Sequence, residues 1–379
     1  LDWETNPLYG WCDKNTKSDG TKYNLYTDGL KIYTTIDSHM QQYAEEAVEE
    51  HLKDLQGHFF QEKRGRKTAP FSNKISQAQV DEIMSRAMKQ SDRYRNMKSA
   101  GMSESEIMKA FNTPEEMSVF SWNGERDTVM TPMDSIRYYK YFLRAGFMSM
   151  DPHSGHVKAY VGGPNFNYFQ YDMCMVGRRQ IGSTVKPFLY TQAMENGFSP
   201  CDEVRHVSYT LMDENGQPWT PRNANSKRYG EMVTIKWGLA NSDNWITAYL
   251  MSKLNPYALK RLIQSFGVRN KDIQPTVSLC LGPCDVSVGE MVSAYTAFPN
   301  KGIRVAPMFV TRIEDNAGNV LATFNPDMEE VISATSAYKM LVMLRAAVNE
   351  GTSARVRRLG VKADMGAKTG TSNNNSDGW

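Results

Sequence analysis

The sequence predicts a mixed α/β fold, with helices packed on both faces of an antiparallel sheet. Residues 147–163, FMSMDPHSGHVKAYVGG, and residues 308–324, MFVTRIEDNAGNVLATF, each place a turn between two strand-like runs. Helical patterns occupy residues 184–195 and 336–349. Hairpins interleaved with helices favour an antiparallel sheet over a parallel Rossmann sheet.

Residues 1–144 are predicted to form a mostly helical linker or pedestal, and residues 145–379 a second domain. In the first region LKIYTTID, at residues 30–37, favours a strand, and a helix is expected from about Ser38. Ser103 and Glu106 form a capping-box pattern before a further helix. Apolar residues at helical spacing are Met40, Tyr43, Ala47, Val48, Leu52 and Leu55, and then Val80, Ile83, Met84 and Ala87. This region contains no catalytic constellation.

Composition excludes several classes of function. The 379 residues carry a formal net charge of +2, from 44 basic and 42 acidic side chains, so we expect no nucleic-acid partner. No run reaches the roughly 18 to 20 apolar residues that a membrane span needs. The sequence starts at Leu1 without a secretion-signal pattern and ends soon after a motif described below, so we expect a piece of a longer protein.

The five cysteines are too few for a disulfide scaffold. Cys280 and Cys284 could form a small-loop disulfide in an oxidising compartment or stay buried thiols, and the sequence leaves both interpretations open. No histidine or second cysteine pair accompanies them, so a zinc site is not expected. We expect neither a metal nor a cofactor.

The stretch QIGSTVKPF, residues 180–188, places Ser183 one turn before Lys186, which Pro187 follows. Proline is tolerated in a helix only within its first turn, so a helix is predicted to begin near Ser183 or Thr184. Its positive end could stabilise an oxyanion and lower the pKa of the lysine. A serine nucleophile with a lysine base is one interpretation, and a serine N-cap beside a solvated lysine is the other.

A second match to this pattern, Ser336-Ala-Tyr-Lys339, shows that the pattern alone is weak. Two later motifs favour a nucleophile at Ser183, and their order is that of known serine acyltransferases: Ser242-Asp243-Asn244 and Lys368-Thr369-Gly370-Thr371. Ser336 follows the second motif, and Ser372-Asn373-Asn374 follows the third. We therefore interpret these two matches as a helix cap and a loop.

Together the three motifs indicate acyl transfer. Ser183 would attack a carbonyl carbon while neutral Lys186 takes its proton, and the charge of Lys368 would help to keep Lys186 neutral. Ser242 would pass a proton to the leaving amine, and the Asn244 amide would hold both Lys186 and a substrate amide.

The third motif is predicted to be a strand that binds substrate. Thr369 and Thr371 would point to one side and bind a carboxylate, while Gly370 would let the substrate backbone approach. The N–H groups of Ser183 and Thr371 would form the oxyanion hole.

These residues resemble the transpeptidase domain of class A, bifunctional penicillin-binding proteins. The resemblance also covers IYTTID, the 147–163 hairpin, RRQIGSTVKPF, PRNAN, LANSDN, VSVGEMVSAYTAFPNKG and EGTSARVR. It implies the fold shared with serine β-lactamases and an acyltransferase that opens the D-Ala-D-Ala peptide of peptidoglycan stem peptides, releasing D-Ala. It further implies covalent inhibition by β-lactams and a parent protein anchored at the periplasmic face of the bacterial inner membrane.

Two departures from the family pattern are visible. The glycosyltransferase domain and membrane anchor are absent from this sequence, as are the strands that usually follow the third motif. We therefore expect a domain that is incomplete at its C-terminus and whose third-motif strand is an unpaired edge.

Rival functions remain on the sequence alone. A class A β-lactamase would need a deacylating glutamate, which residues 271–285 lack. A D,D-carboxypeptidase and a non-catalytic penicillin-binding sensor or scaffold stay open, because the sequence does not reveal the acyl acceptor or the turnover.

Overall fold

The computed structural model describes residues 9–224, 226–373 and 376–379, and its alternation of helices and strands confirms the mixed α/β class. The α-helices are α1 (Tyr9–Lys14), α2 (Ser38–Lys63), α3 (Gln77–Gln90), α4 (Asp92–Ser99), α5 (Glu104–Phe111), α6 (Pro132–Tyr139), α7 (Lys186–Glu195), α8 (Ile235–Ala240), α9 (Asn244–Lys253), α10 (Pro256–Ser265), α11 (Val288–Tyr295), α12 (Ala334–Asn349) and α13 (Arg355–Arg358). Short 3₁₀ helices lie at Gly182–Val185 and Val277–Leu281.

The strands pair in antiparallel fashion. They are β1 (Lys31–Thr34), β2 (Glu115–Val119), β3 (Arg126–Met130), β4 (Phe147–Met150), β5 (Val157–Val161), β6 (Arg178–Gln180), β7 (Glu203–Arg205), β8 (Leu211–Met212), β9 (Pro218–Trp219), β10 (Met232–Thr234), β11 (Asp285–Ser287), β12 (Ile303–Val305), β13 (Val310–Glu314), β14 (Val320–Thr323) and β15 (Met328–Glu330). β13 lies between β1 and β14 in a three-stranded sheet. The other described strands form pairs: β2 with β3, β4 with β5, β6 with β11, β7 with β10, β8 with β9, and β12 with β15.

Both predicted hairpins are confirmed, as β4 with β5 and β13 with β14. Each connecting turn contains a glycine in the left-handed region, Gly155 at φ +73° and Gly318 at φ +92°. Glycine adopts this conformation without the steric cost of a Cβ atom, so the turn chemistry was readable from the sequence. The described strands nevertheless divide among several small sheets.

The described residues form two compact units. One contains the residues up to Gln41 together with Gly146–Tyr160 and Tyr171–Trp379, and the other contains Gln42–Ala145 and Val161–Gln170. All three motifs lie in the first unit. The sequence boundary between residues 144 and 145 stays a prediction.

The first unit is built around α7. Every residue from Lys186 to Met194 on this helix is buried, which is typical of a helix in the centre of a core. α12 packs against both α7 and α8, and α9 and α10 also contact α7. Because α7 starts inside this core, its first residue, Lys186, is fully enclosed.

The predicted helices of the first region are confirmed, although their buried faces differ in detail. α2 begins at Ser38, and α5 has the capping box of Ser103 and Glu106. On α2, Met40, Tyr43 and Leu55 are exposed; the buried side chains of α2 and α3 are Ala44, Leu52, Gln56, Val80, Met84 and Met88. Within the described ranges, no helix combines the length and apolar character needed to cross a bilayer.

Gln56 on α2 is 1% exposed and satisfies two backbone groups. Its Nε2 donates to the Tyr141 carbonyl at 2.8 Å, and its Oε1 accepts the Leu143 N–H at 2.8 Å. Gln56→Leu leaves both groups unpaired, so we expect the free energy of unfolding to fall by about 2 to 3 kcal/mol in denaturant titrations. Gln61→Leu, at an exposed site on the same helix, should change it by less than about 0.5 kcal/mol. Equal effects of the two substitutions would contradict this role.

Candidate active site

Ser183 and Lys186 lie where two helical segments meet. Ser183 is the second residue of the 3₁₀ helix Gly182–Val185, Lys186 is the first residue of α7, and Pro187 lies in the first turn of α7. Because a 3₁₀ helix repeats every three residues, the Ser183 and Lys186 side chains share one face. The predicted helix start is confirmed. Ser183 is only partly buried, so a substrate can reach it.

The amine of Lys186 is held by the second motif. Its Nζ donates to the Ser242 carbonyl at 2.6 Å and to Asn244 Oδ1 at 2.7 Å, and it lies 3.4 Å from Ser242 Oγ. Burial lowers the pKa of Lys186 to about 7, against the opposing negative charge of Asp243. A neutral amine has two N–H donors and one lone pair. With both donors used on the short contacts, the lone pair is left to accept a proton.

The second motif forms the tight turn between α8 and α9. Ser242 adopts φ +54°, which is uncommon for a residue with a side chain. Asp243 is the N-cap of α9, and its Oδ1 accepts the Ile246 N–H at 2.9 Å. Asn244 is the first residue of α9. The turn thus presents one carbonyl and one amide oxygen to the same amine.

The third motif brings a second lysine to the same serine. Lys368 Nζ donates to Ser242 Oγ at 2.8 Å and to the Thr369 carbonyl at 2.7 Å. Burial, together with the positive charge of Lys186, lowers the pKa of Lys368 to about 6. Lys186, Ser242, Asn244 and Lys368 therefore form one hydrogen-bonded cluster. The pKa of Lys186 is lowered by burial, however, and not by the charge of Lys368 as the sequence interpretation expected.

Ser183 stands beside this cluster without joining it. Within the described ranges its hydroxyl makes no hydrogen bond, so the expected direct contact with Lys186 is not formed. The backbone N–H groups of Ser183 and Thr371 likewise donate to no described residue. Catalytic hydrogen bonds are often long before substrate binds. These three polar groups are available to an incoming substrate.

Glycines allow the first and third motifs to touch. Gly182 has φ +52°, and a Cβ atom there would lie 2.3 Å from the carbonyl oxygen of Thr371. A Cβ atom on Gly370 would lie 2.7 Å from the carbonyl oxygen of Ile181. Both distances are below any real contact of a Cβ atom, so this approach of the two backbones requires glycine.

The predicted strand at the third motif is wrong for the described residues, which form only an isolated bridge at Thr371 there. Thr369 and Thr371 are exposed and Gly370 is buried, which matches the predicted alternation. The prediction of an unpaired edge is wrong. Gly370 exchanges N–H···O bonds of 3.0 and 2.9 Å with Trp379, and Thr371 forms an antiparallel bridge with Gly378. The last residues turn back and cover the edge.

The two other motif matches have structural roles. The N-cap of α12 is Ser333, so the predicted capping role of Ser336 is wrong; the Ser336 N–H donates to the Ser333 hydroxyl instead. Lys339 donates to the Phe198 carbonyl at 3.0 Å. Ser372 lies in a loop, as predicted, and donates to the Asp377 carboxylate at 3.0 Å. Asn374 lies outside the described residues.

The two cysteines that could have formed a disulfide are buried free thiols. Cys280 lies in the 3₁₀ helix Val277–Leu281, and Cys284 follows this helix. Burial raises the pKa of each thiol to about 12. Both thiols are therefore protonated at neutral pH.

Sequence reasoning missed three side chains that adjoin the predicted residues. Asn223, in PRNAN, accepts the Asn244 N–H at 3.1 Å and donates to Asp243 Oδ2 at 2.6 Å. Thr352, in EGTSARVR, accepts a 3.1 Å hydrogen bond from the Thr369 hydroxyl. Both stretches were part of the family resemblance and carried a signal. His206, whose Nε2 lies 2.8 Å from Asp243 Oδ2, belongs to none of the motifs.

This arrangement is suited to nucleophilic acyl transfer. A reachable serine lies one turn from an amine whose pKa is close to neutrality, and a second lysine shares a hydroxyl with that amine. The fold and the site thus point to the class of serine acyltransferases that use a lysine base.

Comparison with known proteins identifies the family. The sequence matches the penicillin-binding protein transpeptidase domain over residues 145–378 and the penicillin-binding protein middle domain over residues 66–143. The chain therefore belongs to the penicillin-binding protein transpeptidase family. The resemblance recognised in the sequence, and the fold that it implied, are confirmed.

Individual relatives agree with this assignment. The chain is 29% identical to penicillin-binding protein 1A of Aquifex aeolicus over 93% of its own length and 48% of the relative. It is 30% identical to penicillin-binding protein 1A of Neisseria meningitidis over 62% of its length and 30% of the relative. The crystal structure of penicillin-binding protein 1A from Haemophilus influenzae superposes with a TM-score of 0.68 at 19% identity, covering 98% of this chain and 63% of that one. The chain thus spans less than half of the curated relatives that it matches here.

Gly182→Ala tests the contact between the first and third motifs. The added methyl group must push the Thr371 backbone away, so we expect a lower melting temperature and slower covalent labelling by a fluorescent penicillin. Gly197→Ala is the matched control, because Gly197 has φ +90° with open space around its Cβ position. This control measures only the cost of placing alanine in a left-handed backbone conformation, which is about 1 kcal/mol. Labelling that slows equally in both variants would refute the contact.

The two lysines predict how stability depends on pH. Their folded pKa values, about 7 and about 6, lie below the usual 10.5, so the unfolded chain holds extra protons between about pH 7 and pH 10. The free energy of unfolding should therefore rise with pH in this range, by on the order of 1 kcal/mol per pH unit for each lysine.

Denaturant titrations at pH 7 and pH 9 measure this rise. Lys186→Met should make the rise of the free energy of unfolding with pH less steep. The substitution removes one lysine whose pKa is lowered in the folded state, and its charge no longer lowers the pKa of Lys368. Lys339→Met, on α12 outside the cluster, should keep the wild-type slope. An unchanged slope in Lys186→Met would show that the pKa of Lys186 is not lowered in the folded protein.

Proposed function

We propose that this chain is a serine D,D-transpeptidase that cross-links peptidoglycan stem peptides through an acyl-enzyme on Ser183, with release of D-Ala. The observation that carries the proposal is the buried amine of Lys186, one turn from Ser183 and linked through Ser242 to Lys368. All of these residues lie within the matched transpeptidase region.

In the acylation step Lys186 is the general base. Its lone pair takes the Ser183 hydroxyl proton while Oγ attacks the carbonyl carbon of the penultimate D-Ala. A pKa of about 7 suits a base that acts near neutral pH. The negative charge that develops on the carbonyl oxygen is stabilised by the N–H groups of Ser183 and Thr371, which donate to no described residue.

Collapse of the tetrahedral intermediate breaks the C–N bond to the terminal D-Ala. The Ser242 hydroxyl donates a proton to the leaving amine and recovers one from Lys186, which lies 3.4 Å from its oxygen. Lys368, 2.8 Å from the same oxygen, holds the hydroxyl in place. An amine of a neighbouring stem peptide then attacks the acyl-enzyme, the proton transfers run in reverse, and Ser183 is regenerated.

The third motif supports binding of the donor peptide. The exposed hydroxyls of Thr369 and Thr371 can bind its terminal carboxylate, and Gly370 leaves room for its backbone. Asn244 Nδ2 uses one hydrogen on the Arg222 carbonyl at 2.7 Å and keeps the other for a substrate amide. β-Lactams present a carboxylate and a reactive carbonyl to the same groups, so they acylate Ser183.

The proposal extends to the organisation and location of the protein. Residues 145–379 act as the transpeptidase domain, and residues 1–144 act as the linker or pedestal that carries it. The protein acts at the periplasmic face of the bacterial inner membrane, held by an anchor outside these residues. Its ligands there are stem peptides that end in D-Ala-D-Ala.

Covalent labelling tests the nucleophile. A fluorescent penicillin should add one acyl group to the wild-type chain by intact-mass analysis, and peptide mapping should place it on Ser183. Ser183→Ala should lose labelling, whereas Ser336→Ala, at the other Ser-x-x-Lys match, should retain it. Labelling that persists in Ser183→Ala, or that maps to Ser336, would refute the assignment. With a D-Ala-D-Ala peptide and an amine acceptor, transfer to the amine distinguishes a transpeptidase from a carboxypeptidase.

A further inference from the structure

A buried histidine lies behind the second motif. His206 follows β7 and is 0% exposed. Its backbone is held on both sides, because its N–H donates to the Glu231 carbonyl at 2.8 Å and its carbonyl accepts the Gly230 N–H at 2.9 Å. The ring packs against Trp237 and Trp245, with centroid distances of 5.2 and 4.9 Å. Its orientation is therefore fixed by packing.

The ring donates to the middle residue of the second motif. Nε2 of His206 lies 2.8 Å from Asp243 Oδ2. The same nitrogen lies 3.3 Å from Asn223 Nδ2. Because a carboxylate can only accept and the contact with Asp243 is the shorter one, we assign the proton of the ring to Nε2. Nδ1 is buried and has no partner in the described part of the chain. Most buried polar atoms are paired, so the contacts of Nε2 are the hydrogen bonds that this buried ring makes within the described residues.

Asp243 collects three donors while it caps α9. Its Oδ1 accepts the Ile246 N–H at 2.9 Å, and its Oδ2 accepts from His206 at 2.8 Å and from Asn223 Nδ2 at 2.6 Å. Asp243 is 2% exposed. A buried carboxylate is tolerated only when it is well hydrogen-bonded, so the loss of one donor would allow the carboxylate to shift.

Both chain neighbours of Asp243 touch Lys186. Ser242 is held at φ +54°, a left-handed conformation that persists only where surrounding contacts impose it. Asn244 is held by the same group of hydrogen bonds, because its N–H donates to Oδ1 of Asn223, a residue that also binds Asp243. A displacement of Asp243 therefore moves the carbonyl of Ser242 and the amide of Asn244 together.

We propose that His206 is a positioning residue for acylation of Ser183, acting through Asp243 on the turn that holds the Lys186 amine. This inference rests on the proposed function. His206 itself touches neither substrate nor nucleophile. The ring N–H of His206 keeps Asp243 in place. Asp243 in turn fixes the positions of the Ser242 carbonyl and Asn244 Oδ1, which accept hydrogen bonds from Lys186.

Three substitutions separate this role from simple packing. His206→Gln keeps an N–H donor at the position of Nε2, His206→Asn keeps an amide that is one methylene too short, and His206→Phe keeps a ring without the donor. We measure the noncovalent affinity and the acylation rate constant for a fluorescent penicillin in the full chain, together with the melting temperature. His153→Phe is the control, since His153 is exposed and contacts Asn300.

Acylation should slow by about tenfold or more in His206→Phe and His206→Asn, as expected when a hydrogen bond to a buried charged group is lost. Noncovalent affinity should stay within about twofold, and His206→Gln should restore most of the rate, because the donor and not the ring is what the site requires. His153→Phe should acylate at the wild-type rate.

Wild-type acylation rates in all three variants would overturn the inference, as would a loss in His206→Gln equal to that in His206→Asn. If His206→Phe does not fold, the comparison of Gln with Asn still decides, because the two amides differ only in reach. A wild-type chain that is not labelled at Ser183 would instead overturn the proposed function on which this inference rests.

Discussion

The other features of this site depend on the burial of the Lys186 amine. α7 runs through the centre of the core, and its first residue, Lys186, is fully buried. A buried ammonium without compensation is costly, so the group must find acceptors or give up its proton. The site provides both: two close oxygens on Ser242 and Asn244, and a pKa lowered to about 7. The packing that stabilises the domain is thus also what activates the base.

Three segments that are distant in the sequence meet at the start of α7. A Cβ atom on Gly182 would clash with Thr371, and one on Gly282 would lie 2.1 Å from the carbonyl oxygen of Gly182. The backbone of the first motif is therefore packed between two other segments. In this arrangement the Ser183 and Thr371 N–H groups donate to no residue that the structure describes.

Local features of the sequence predicted much of the fold. Both hairpins, the start of α2 and the capping box of α5 depend on residues only a few positions apart, whose turn chemistry and periodicity are visible in the chain. The apolar stripe of α2 was less informative, because Met40 and Tyr43 are exposed while Gln56 is buried. Burial of a polar side chain depends on partners far along the chain, here the backbone of Tyr141 and Leu143.

The sequence by itself determined the family and the residues of the cluster, because motif order and Pro187 are properties of the linear chain. Only the tertiary structure decided that Trp379 covers the third motif, that Ser333 rather than Ser336 caps α12, and that Ser183 stands outside the hydrogen-bonded cluster. It also brought His206 to Asp243 across 37 residues. Each of these outcomes rests on a donor meeting an acceptor through packing, and packing between distant segments leaves no local pattern in the sequence.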